Sequence, residues 1–365
     1  MDPDRVLTWR LATQRLSSAP VATAADAVRL LACVQSQERD HAFWSLALRS
    51  RRRTYGSVQR EFDRGAFVRT HILRPTWHFV VPSDLRWILE LTSPRVLSGM
   101  GARHRQLGLD DPKVLTVALD QLGNALRDKQ FRTRNELGQW FAEHASPIRA
   151  GEQLGHLLMI AELQGLICSG PMHGVHHTYA LVDEVIAPTP RLERDEALVE
   201  LVRRFFTGHG PASVRDFTRW SSLTVADTRH AVTFLGDSLE QVDVDGTPHW
   251  YDPHAVPRRS SAAPAAYLLP TYDEVTLTYP QVPFPSSHPV HRASDPFWAT
   301  VVAGTRSIGR WKRDVGPRTV KVTLDLAPGT SAAEASAATR AARRLAEFLE
   351  RELEVVRSDD AGRGG

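Results

Sequence analysis

The sequence is poor in cysteine and has no long apolar run. Its 365 residues include two cysteines, Cys33 and Cys168. Two cysteines in apolar surroundings predict buried thiols in a reducing compartment and not a disulfide framework. No apolar run approaches the roughly 20 residues that a membrane-spanning helix needs. The first residues, Met1 to Arg5, lack the apolar stretch of a signal peptide. We therefore expect a cytoplasmic protein with no membrane partner.

Several signatures of catalysis and cofactor binding are also missing. The sequence has no glycine-rich phosphate loop and no Ser-His-Asp signature, so no nucleotide cofactor is implied. His173, His176 and His177 lie close together, but no cysteine is near them and no H-E-x-x-H motif is present. We therefore predict no metal site and no cofactor. These histidines could instead meet phosphate or the minor groove of DNA, and His176 and His177 are candidate DNA contacts.

Composition and charge leave binding to nucleic acid open. Hydrophobic residues make up 42% of the chain and charged residues 24%, as in ordinary globular proteins. The length allows two to four small domains. The net charge is only +3, but arginine outnumbers lysine, and arginine recognises phosphates and base edges well. This balance permits DNA binding without proving it.

Helical and strand patterns recur along the first 250 residues. Each of three groups predicts helices followed by a β-hairpin, the outline of a winged helix. The first group has helices at 4–16, 24–34, 57–64 and 83–91 and strands at 67–73 and 76–81. The second has helices at 112–126, 133–144 and 149–163 and strands at 166–169 and 177–181. The third has helices at 194–206, 213–220 and 225–235 and strands at 239–244 and 247–251.

The remainder of the chain predicts a β-rich domain. A linker is expected at 252–266 and a proline-rich irregular loop at 280–296. Strands are expected at 267–269, 298–302, 307–312 and 319–324, with an amphipathic helix at 331–353 and a disordered tail at 358–365. The predicted fold is α+β, with tandem winged-helix domains followed by a C-terminal β-barrel-like domain. The predicted domains are 1–98, 99–187, 188–255 and 256–365.

A polar stretch with two glutamines stands out against apolar surroundings. Gln35 and Gln37 flank Ser36. Residues two apart lie about 200° apart on a helix but on one face of an extended segment. If both glutamines act on one target, the second helix must therefore end near Gln35. Glutamine can hold a water molecule or read a base edge, but it is neither a nucleophile nor a useful base. The alternative is a pair of exposed glutamines after a core helix.

Other polar residues are candidates for DNA contact or acid–base chemistry. Arg51 and Arg52 belong to a basic cluster that is either a solvated loop or a phosphate contact. Arg74 and His78 end the stretch Arg74-Pro-Thr-Trp-His78, where His78 is either a buried histidine bonded to backbone or a site residue. Arg229 lies on the helix predicted to enter the DNA groove. Asp273 and Glu274 are either paired carboxylates for acid–base work or partners of arginine.

Five stretches, taken together, resemble the AlkZ/YcaQ-like family of winged-helix DNA glycosylases. They are Gln35-Ser-Gln37, Arg74-Pro-Thr-Trp-His78, Ala161-Glu-Leu-Gln-Gly-Leu166, Phe217-Thr-Arg-Trp-Ser-Ser-Leu-Thr224 and Leu268-Leu-Pro-Thr-Tyr-Asp-Glu274. The resemblance implies three tandem winged helices and a β-barrel in a C shape around DNA. The family's catalytic motif is a glutamine, an aliphatic residue and then glutamine or aspartate, which falls on Gln35 and Gln37. This sequence departs from the family pattern at Ser36 and after Glu274.

The resemblance implies a monofunctional and monomeric DNA glycosylase acting on double-stranded DNA. A purine alkylated at N7 or N3 is cationic and leaves readily, so a water molecule positioned by glutamines is sufficient chemistry. The expected substrates are alkylated purines, with bulky adducts or crosslinks as further possibilities, and the expected role is protection against an alkylating natural product. The alternative function is a non-catalytic winged-helix DNA-binding protein or transcriptional regulator, which has no need for the glutamine pair.

Overall fold

The computed structural model describes residues 1–255, 266–286 and 298–358. Most of the predicted linker, part of the proline-rich loop and nearly all of the predicted tail lie outside these residues. The helices are α1 Pro3–Thr13, α2 Ala24–Leu31, α3 Arg39–Arg49, α4 Tyr55–Asp63, α5 Pro82–Gln106, α6 Pro112–Leu126, α7 Arg134–Glu143, α8 Glu152–Leu163, α9 Val182–Val185, α10 Arg194–His209, α11 Val214–Ser221, α12 Val225–Leu235, α13 Glu274–Leu277 and α14 Ala332–Leu349. The strands are β1 Val34–Gln35, β2 Val68–Arg74, β3 Thr76–Val80, β4 Arg132–Thr133, β5 Ile167–Ser169, β6 Thr178–Leu181, β7 Glu240–Val244, β8 Thr247–Tyr251, β9 Ala266–Leu268, β10 Ala299–Ala303, β11 Arg306–Val315, β12 Thr319–Leu326 and β13 Glu352–Arg357.

Three groups of helices, each followed by an antiparallel hairpin, make up the first 255 residues. In the first group the short strand β1 pairs with β3, and in the second the short strand β4 pairs with β6. In the third group Ala212 forms an isolated antiparallel bridge with Trp250 on β8. Each short segment lies before a helix, namely α3, α7 or α11. The three groups therefore repeat one arrangement without repeating a sequence.

Local sequence signals place several of these elements. Thr133, Ser213 and Thr224 each cap a helix, and in each case the acidic residue three positions later completes the capping box. Asp245 and Gly246 have φ of 49° and 77°, as a type I′ hairpin turn requires at both central positions. These helix starts and this hairpin agree with the sequence-based prediction.

Helix α5 is longer than predicted. The sequence pattern placed its end near residue 91, but the helix continues through Pro94 to Gln106. Apolar residues on both sides of Pro94, including Ile88 and Val96, are buried, and this packing outweighs the local cost of an interior proline. The predicted boundary at residue 98 therefore falls within α5. No helix among the described residues is long and apolar enough to cross a membrane.

The C-terminal part is a curled, five-stranded half-barrel against α14. The strand order is β13-β12-β11-β10-β9, and β13 runs parallel to β12. The predicted last helix, 331–353, was too long, because Glu350 adopts a left-handed conformation and ends α14. The following residues form β13, which the sequence did not predict. The α+β class is confirmed, while the described strands form an open sheet and not a closed barrel.

The first and third groups share a hydrophobic core with the C-terminal part, while the second group has a core largely of its own. One core combines Ile72 of the first group, Phe217 and Trp220 of the third, and Val275 of the C-terminal part. The second group has a core largely of its own, around Leu122, Leu157 and Tyr179. The first group, the third group and α13 are therefore packed as one body, and side chains from all three meet where β1 lies.

Candidate active site

The chain is extended at the first glutamine of the pair, as the sequence required if both glutamines act on one target. Helix α2 ends at Leu31, and Ala32 has φ 59° and ψ −52°. This is a γ-turn, in which the N–H of Cys33 donates to the carbonyl oxygen of Leu31 at 2.7 Å. Val34 and Gln35 then pair with Phe79 and His78 on β3. The backbone N–H of Ser36 donates to the carbonyl oxygen of Trp77 at 2.7 Å. The segment from Val34 to Ser36 is therefore extended, so successive side chains alternate between its two faces.

The first group departs from the other two at this point. In the second group Thr133 both ends the short strand and caps α7, and Ser213 caps α11 directly after Ala212. In the first group Ser36, Gln37 and Glu38 separate β1 from α3, and the N-cap residue Glu38 makes no side-chain capping bond. Gln37 thus lies in a short segment between strand and helix that has no counterpart in the second and third groups.

Gln35 is fixed by two partners and is not an exposed surface glutamine. Its relative exposure is 7%. Its backbone N–H donates to Oε1 of Glu274 at 2.8 Å, and its side-chain Oε1 accepts from Nη2 of Arg74 at 2.5 Å. The same Arg74 nitrogen lies 3.3 Å from Nε2 of His78. Gln35, Arg74 and His78, all predicted site residues, are therefore in one network.

His78 is a neutral histidine inside this network. It is fully buried, and burial is the main reason that its pKa falls to about 3, with Arg74 adding to the effect. Its Nδ1 lies 2.9 Å from the carbonyl oxygen of Thr76, so Nδ1 carries the proton and Nε2 accepts from Arg74. His78 matches the alternative of a buried histidine bonded to backbone, and it also orients Arg74.

Gln37 is held through its backbone. Nε of Arg69 donates to the carbonyl oxygen of Ser36 at 3.1 Å, and Nη2 of Arg69 donates to that of Gln37 at 3.2 Å. The Arg69 guanidinium lies 4.2 Å from the ring centroid of Trp77, and burial lowers the pKa of Arg69 to about 10. The side-chain Oε1 of Gln37 receives only a long bond, 3.4 Å, from the Trp77 N–H. The Gln37 amide is therefore freer than that of Gln35.

The second hairpin approaches the same region from the other side. Arg39 donates to Sδ of Met172 and to the carbonyl oxygen of Val175, both at 3.1 Å. The ring of His177 lies 6.5 Å from that of Trp77. Neither ring nitrogen of His177 has a partner among the described residues, and burial lowers its pKa well below the usual value. His176 is exposed on the same hairpin.

The two candidate carboxylates have different partners. Asp273 forms a buried two-pronged ion pair with Arg49, with distances of 2.8 Å and 2.6 Å, so the arginine alternative is correct for Asp273. Glu274 is also buried, and burial alone would raise its pKa, but His209, Arg74 and the N–H of Gln35 together lower the pKa to about 2. Such a carboxyl group is ionised at neutral pH and cannot act as a general acid.

The other predicted DNA contacts lie apart from the glutamines. Arg51 is exposed, and Arg52 pairs with Glu61. Both follow α3, an 11-residue helix that is about 16 Å long and begins just after Gln37. Arg229 is exposed on α12 of the third group. No group of three or more potential metal ligands occurs within the described part of the chain.

Sequence reasoning missed two residues of this region, Arg69 and Arg219, and it named Glu274 only as a possible acid–base carboxylate or partner of arginine. Arg69 and Glu274 bond to the motif backbone, and Arg219 on α11 lies near enough to Arg74 that its charge lowers the pKa of Arg74, after burial as the main cause. Arg219 is exposed and has no hydrogen-bond or ion-pair partner in residues 1–255, 266–286 or 298–358. Arg219 and Glu274 both lie in stretches that carried the family resemblance, but no spacing rule connects them with Gln35.

Comparison with known proteins agrees with this architecture. The three helix-and-hairpin groups and the half-barrel have the fold of a DNA glycosylase, since the structure of Streptomyces sahachiroi DNA glycosylase AlkZ matches with a TM-score of 0.74 and 23% identity over 98% of this chain and 100% of that one. The model of the family described as DNA glycosylase AlkZ-like matches residues 28–348. The chain therefore belongs to the AlkZ-like DNA glycosylase family, and the resemblance drawn from its sequence is confirmed. A Streptomyces sahachiroi protein named interstrand DNA cross-link repair glycosylase is 27% identical over 327 residues, 84% of this chain and 87% of that protein.

Proposed function

We propose that this protein is a monofunctional DNA glycosylase that hydrolyses the N-glycosidic bond of cationic, N7- or N3-alkylated purines. The observation that carries the proposal is the extended glutamine segment. Gln35 is locked by Arg74 and Glu274, while the Gln37 side chain has only one long bond. A rigid amide next to a freer one can hold a water molecule in a defined position, as positioning catalysis requires.

The proposed reaction needs no acid from the protein. The bond between C1′ and the purine nitrogen breaks, and its electron pair leaves with the base, which thereby becomes neutral. The oxygen of the positioned water forms the new bond to C1′, and its proton passes to solvent. Glu274 is ionised at neutral pH, and Asp273 is engaged by Arg49, so the buried carboxyl groups near the motif support a mechanism in which the lesion itself activates the leaving group.

We propose that the three groups are winged-helix domains at residues 1–98, 99–187 and 188–255, with α5 crossing the first boundary, followed by the C-terminal domain at 256–365. The support is the shared arrangement of a short strand, two helices and a hairpin. Winged helices bind duplex DNA mainly through phosphate contacts. Arg51, Arg229 and His176 are exposed and suit such contacts. Arg74 donates a hydrogen bond to Gln35 and therefore lies at the glutamines. Arg52 is paired with Glu61. We propose that His78 and His177 do not contact DNA themselves and instead support the neighbouring Arg74 and Trp77.

We also propose that bulky adducts or crosslinks are substrates of this protein. The support is that a similar protein carries the name interstrand DNA cross-link repair glycosylase. We also propose that the chain acts as a monomer, because one copy supplies the glutamines and the arginines around them. A role in protection against an alkylating natural product follows from the proposed substrate class.

The decisive experiment measures base release from defined duplexes. The protein is incubated with DNA carrying one N7-methylguanine, one N3-methyladenine or one bulky N7 adduct, and abasic sites are detected by alkaline cleavage. Release from at least one of these duplexes is the expected result, and the Gln37→Ala variant is the negative control. Tight binding to all duplexes with no base release would overturn the proposal in favour of the non-catalytic DNA-binding alternative.

A further inference from the structure

The proposed reaction places positive charge on the sugar, and neutral glutamines offset little of it. As the C1′ bond to the base breaks, the deoxyribose becomes oxocarbenium-like. Fixed groups aimed at developing charge in a water-poor site are usually a large contribution to catalysis. Gln35 and Gln37 provide dipoles but no net negative charge. The protein therefore needs an anionic group close to the motif.

Glu274 is an anionic group next to the motif, although it comes from the C-terminal part of the chain. Its Oε1 accepts from the backbone N–H of Gln35 at 2.8 Å. Its Oε2 accepts from Nε1 of Trp220 and from the hydroxyl of Thr278, both at 3.2 Å. Glu274 is fully buried and begins α13. The carboxylate is thus fixed directly behind the first glutamine.

The surroundings keep this carboxylate charged, and no arginine or lysine side chain among the described residues donates a hydrogen bond to it. Nε2 of His209 lies 3.6 Å from Oε2, beyond hydrogen-bonding distance. Arg74 is a nearby cation, and its Nη2 is directed at Gln35 and His78 and not at Glu274. Burial would raise the pKa of Glu274, but His209 first, and then Arg74 and the N–H of Gln35, lower it to about 2. Asp273, the preceding residue, differs because Arg49 neutralises it in a direct ion pair.

We propose that Glu274 is a positioning residue that also stabilises the cationic transition state through space, from behind Gln35. This inference rests on the proposed glycosylase function. Glu274 fixes the backbone of the first glutamine, and its negative charge offsets the charge that develops on the sugar. When a DNA phosphate pairs with Arg74, the counter-charge on Arg74 is reduced and the field of Glu274 at the sugar increases.

The test compares two abasic duplexes that differ only in charge. One carries a protonated pyrrolidine in place of the sugar, with its cationic nitrogen at the C1′ position, and the other carries the neutral tetrahydrofuran analogue. We expect the wild-type protein to bind the cationic duplex about tenfold tighter at moderate ionic strength, as expected for a charge roughly 12 Å away at an effective dielectric constant near 20. In Glu274→Gln this ratio should fall to near one, with little change in affinity for the neutral duplex.

Two further variants separate the charge effect from loss of structure. Glu274→Gln places an amide N–H₂ opposite the Trp220 N–H, so the double variant Glu274→Gln, Trp220→Phe removes this conflict if the single variant is unstable. The double variant Asp273→Asn, Arg49→Gln is the matched control, because it removes a neighbouring buried ion pair whose net charge is zero. Its melting temperature should fall, but its preference for the cationic duplex should equal that of the wild type.

The outcomes distinguish this inference from the proposed function. An unchanged preference for the cationic duplex in both Glu274 variants, or no preference in the wild type, would overturn the role of Glu274. Failure of the wild type to release any alkylated purine would overturn the proposed function instead, whatever the analogue preference. Loss of preference in the Glu274 variants together with an unchanged preference in the Asp273→Asn, Arg49→Gln variant would support the role.

Discussion

Nη2 of Arg74 donates a hydrogen bond of 2.5 Å to the side-chain oxygen of Gln35, 39 residues earlier in the chain. Arginine has only donors, so the atom that faces it must be the amide oxygen. The orientation of the Gln35 amide is therefore defined, with its N–H₂ group on the other side. This amide can donate to a water molecule or a DNA oxygen, and the Gln37 amide can complete the contact.

The first prediction concerns the two glutamines. Gln37→Ala should abolish base release, and Gln35→Ala should weaken it, while DNA affinity stays nearly unchanged because binding depends mainly on phosphate contacts. A loss on the order of a hundredfold is typical when a reacting group is misplaced by about 1 Å. Single-turnover release and binding to undamaged DNA are the measurements. Gln164→Ala, an exposed glutamine on another loop, is the control, and equal losses of binding and release would contradict the role.

The second prediction concerns Ser36, where the family has an aliphatic residue. Ser36 is fully buried, and its hydroxyl has no hydrogen-bond partner among the described residues. A buried hydroxyl without a partner costs about 1–3 kcal/mol. Ser36→Ala should therefore raise the free energy of unfolding by about 1 kcal/mol and retain base release. Urea unfolding checks the first point.

Ser45→Ala is the matched control for Ser36. Ser45 is also buried, but its hydroxyl donates to Asp273 and accepts from Arg49, both at 2.8 Å. Removing it should lower the free energy of unfolding. If Ser36→Ala destabilises as much as Ser45→Ala, the Ser36 hydroxyl has a hydrogen-bond partner, and the prediction is contradicted.

The third prediction concerns Arg219. Its side chain is exposed beside Arg74, while the next residue, Trp220, is anchored to Glu274. We expect Arg219 to contact a DNA phosphate near the reacting sugar. Arg219→Ala should reduce the slope of log affinity against log salt by about one unit and also slow base release. Arg215→Ala, one turn earlier on α11 and also exposed, should reduce affinity without slowing release. Identical behaviour of the two variants would contradict this assignment.

The fourth prediction concerns acid stability. Burial lowers the pKa of His78 from 6.5 to about 3, so the unfolded chain binds a proton below pH 6.5 that the folded protein does not bind. The stability linked to His78 is therefore complete above pH 6.5 and is lost as the pH falls toward 3. The loss is about 1.4 kcal/mol per pH unit for one histidine. Urea unfolding at several pH values should show a smaller acid loss in His78→Gln, and parallel curves would contradict the prediction.

The fifth prediction concerns the charge of the substrate. N7- or N3-alkylated purines should be released, while uracil and 8-oxoguanine should be ignored, because the site supplies no general acid. Since the pKa of Glu274 is about 2 and that of His78 about 3, neither group changes protonation above pH 5. The release rate should therefore be flat between about pH 5.5 and 8.5. Release of uracil that disappears in Glu38→Gln would move the chemistry to general acid catalysis.

Much of the local structure followed from the sequence because its determinants are local. The capping boxes at Thr133, Ser213 and Thr224 and the turn at Asp245-Gly246 depend on residues within a few positions of one another. The predictions failed where packing overrides such signals. Pro94 lies inside α5 because buried side chains continue on both sides of it. The strand β13 forms because β12 offers a free edge after Glu350 ends α14.

The sequence by itself determined the glutamine pair and the family to which the chain belongs, and it predicted an extended segment on the condition that both glutamines act on one target. Spacing indicated that Gln35 and Gln37 can share a face only in an extended segment, and motif order along the chain indicated the family. Tertiary structure decided what surrounds the pair. Glu274 lies 239 residues from Gln35 in sequence, and its contact exists because the first group, the third group and α13 share one hydrophobic core. Burial in that core also sets the charge states of His78 and Glu274, because the free energy of a charge depends on the groups and the solvent that surround it.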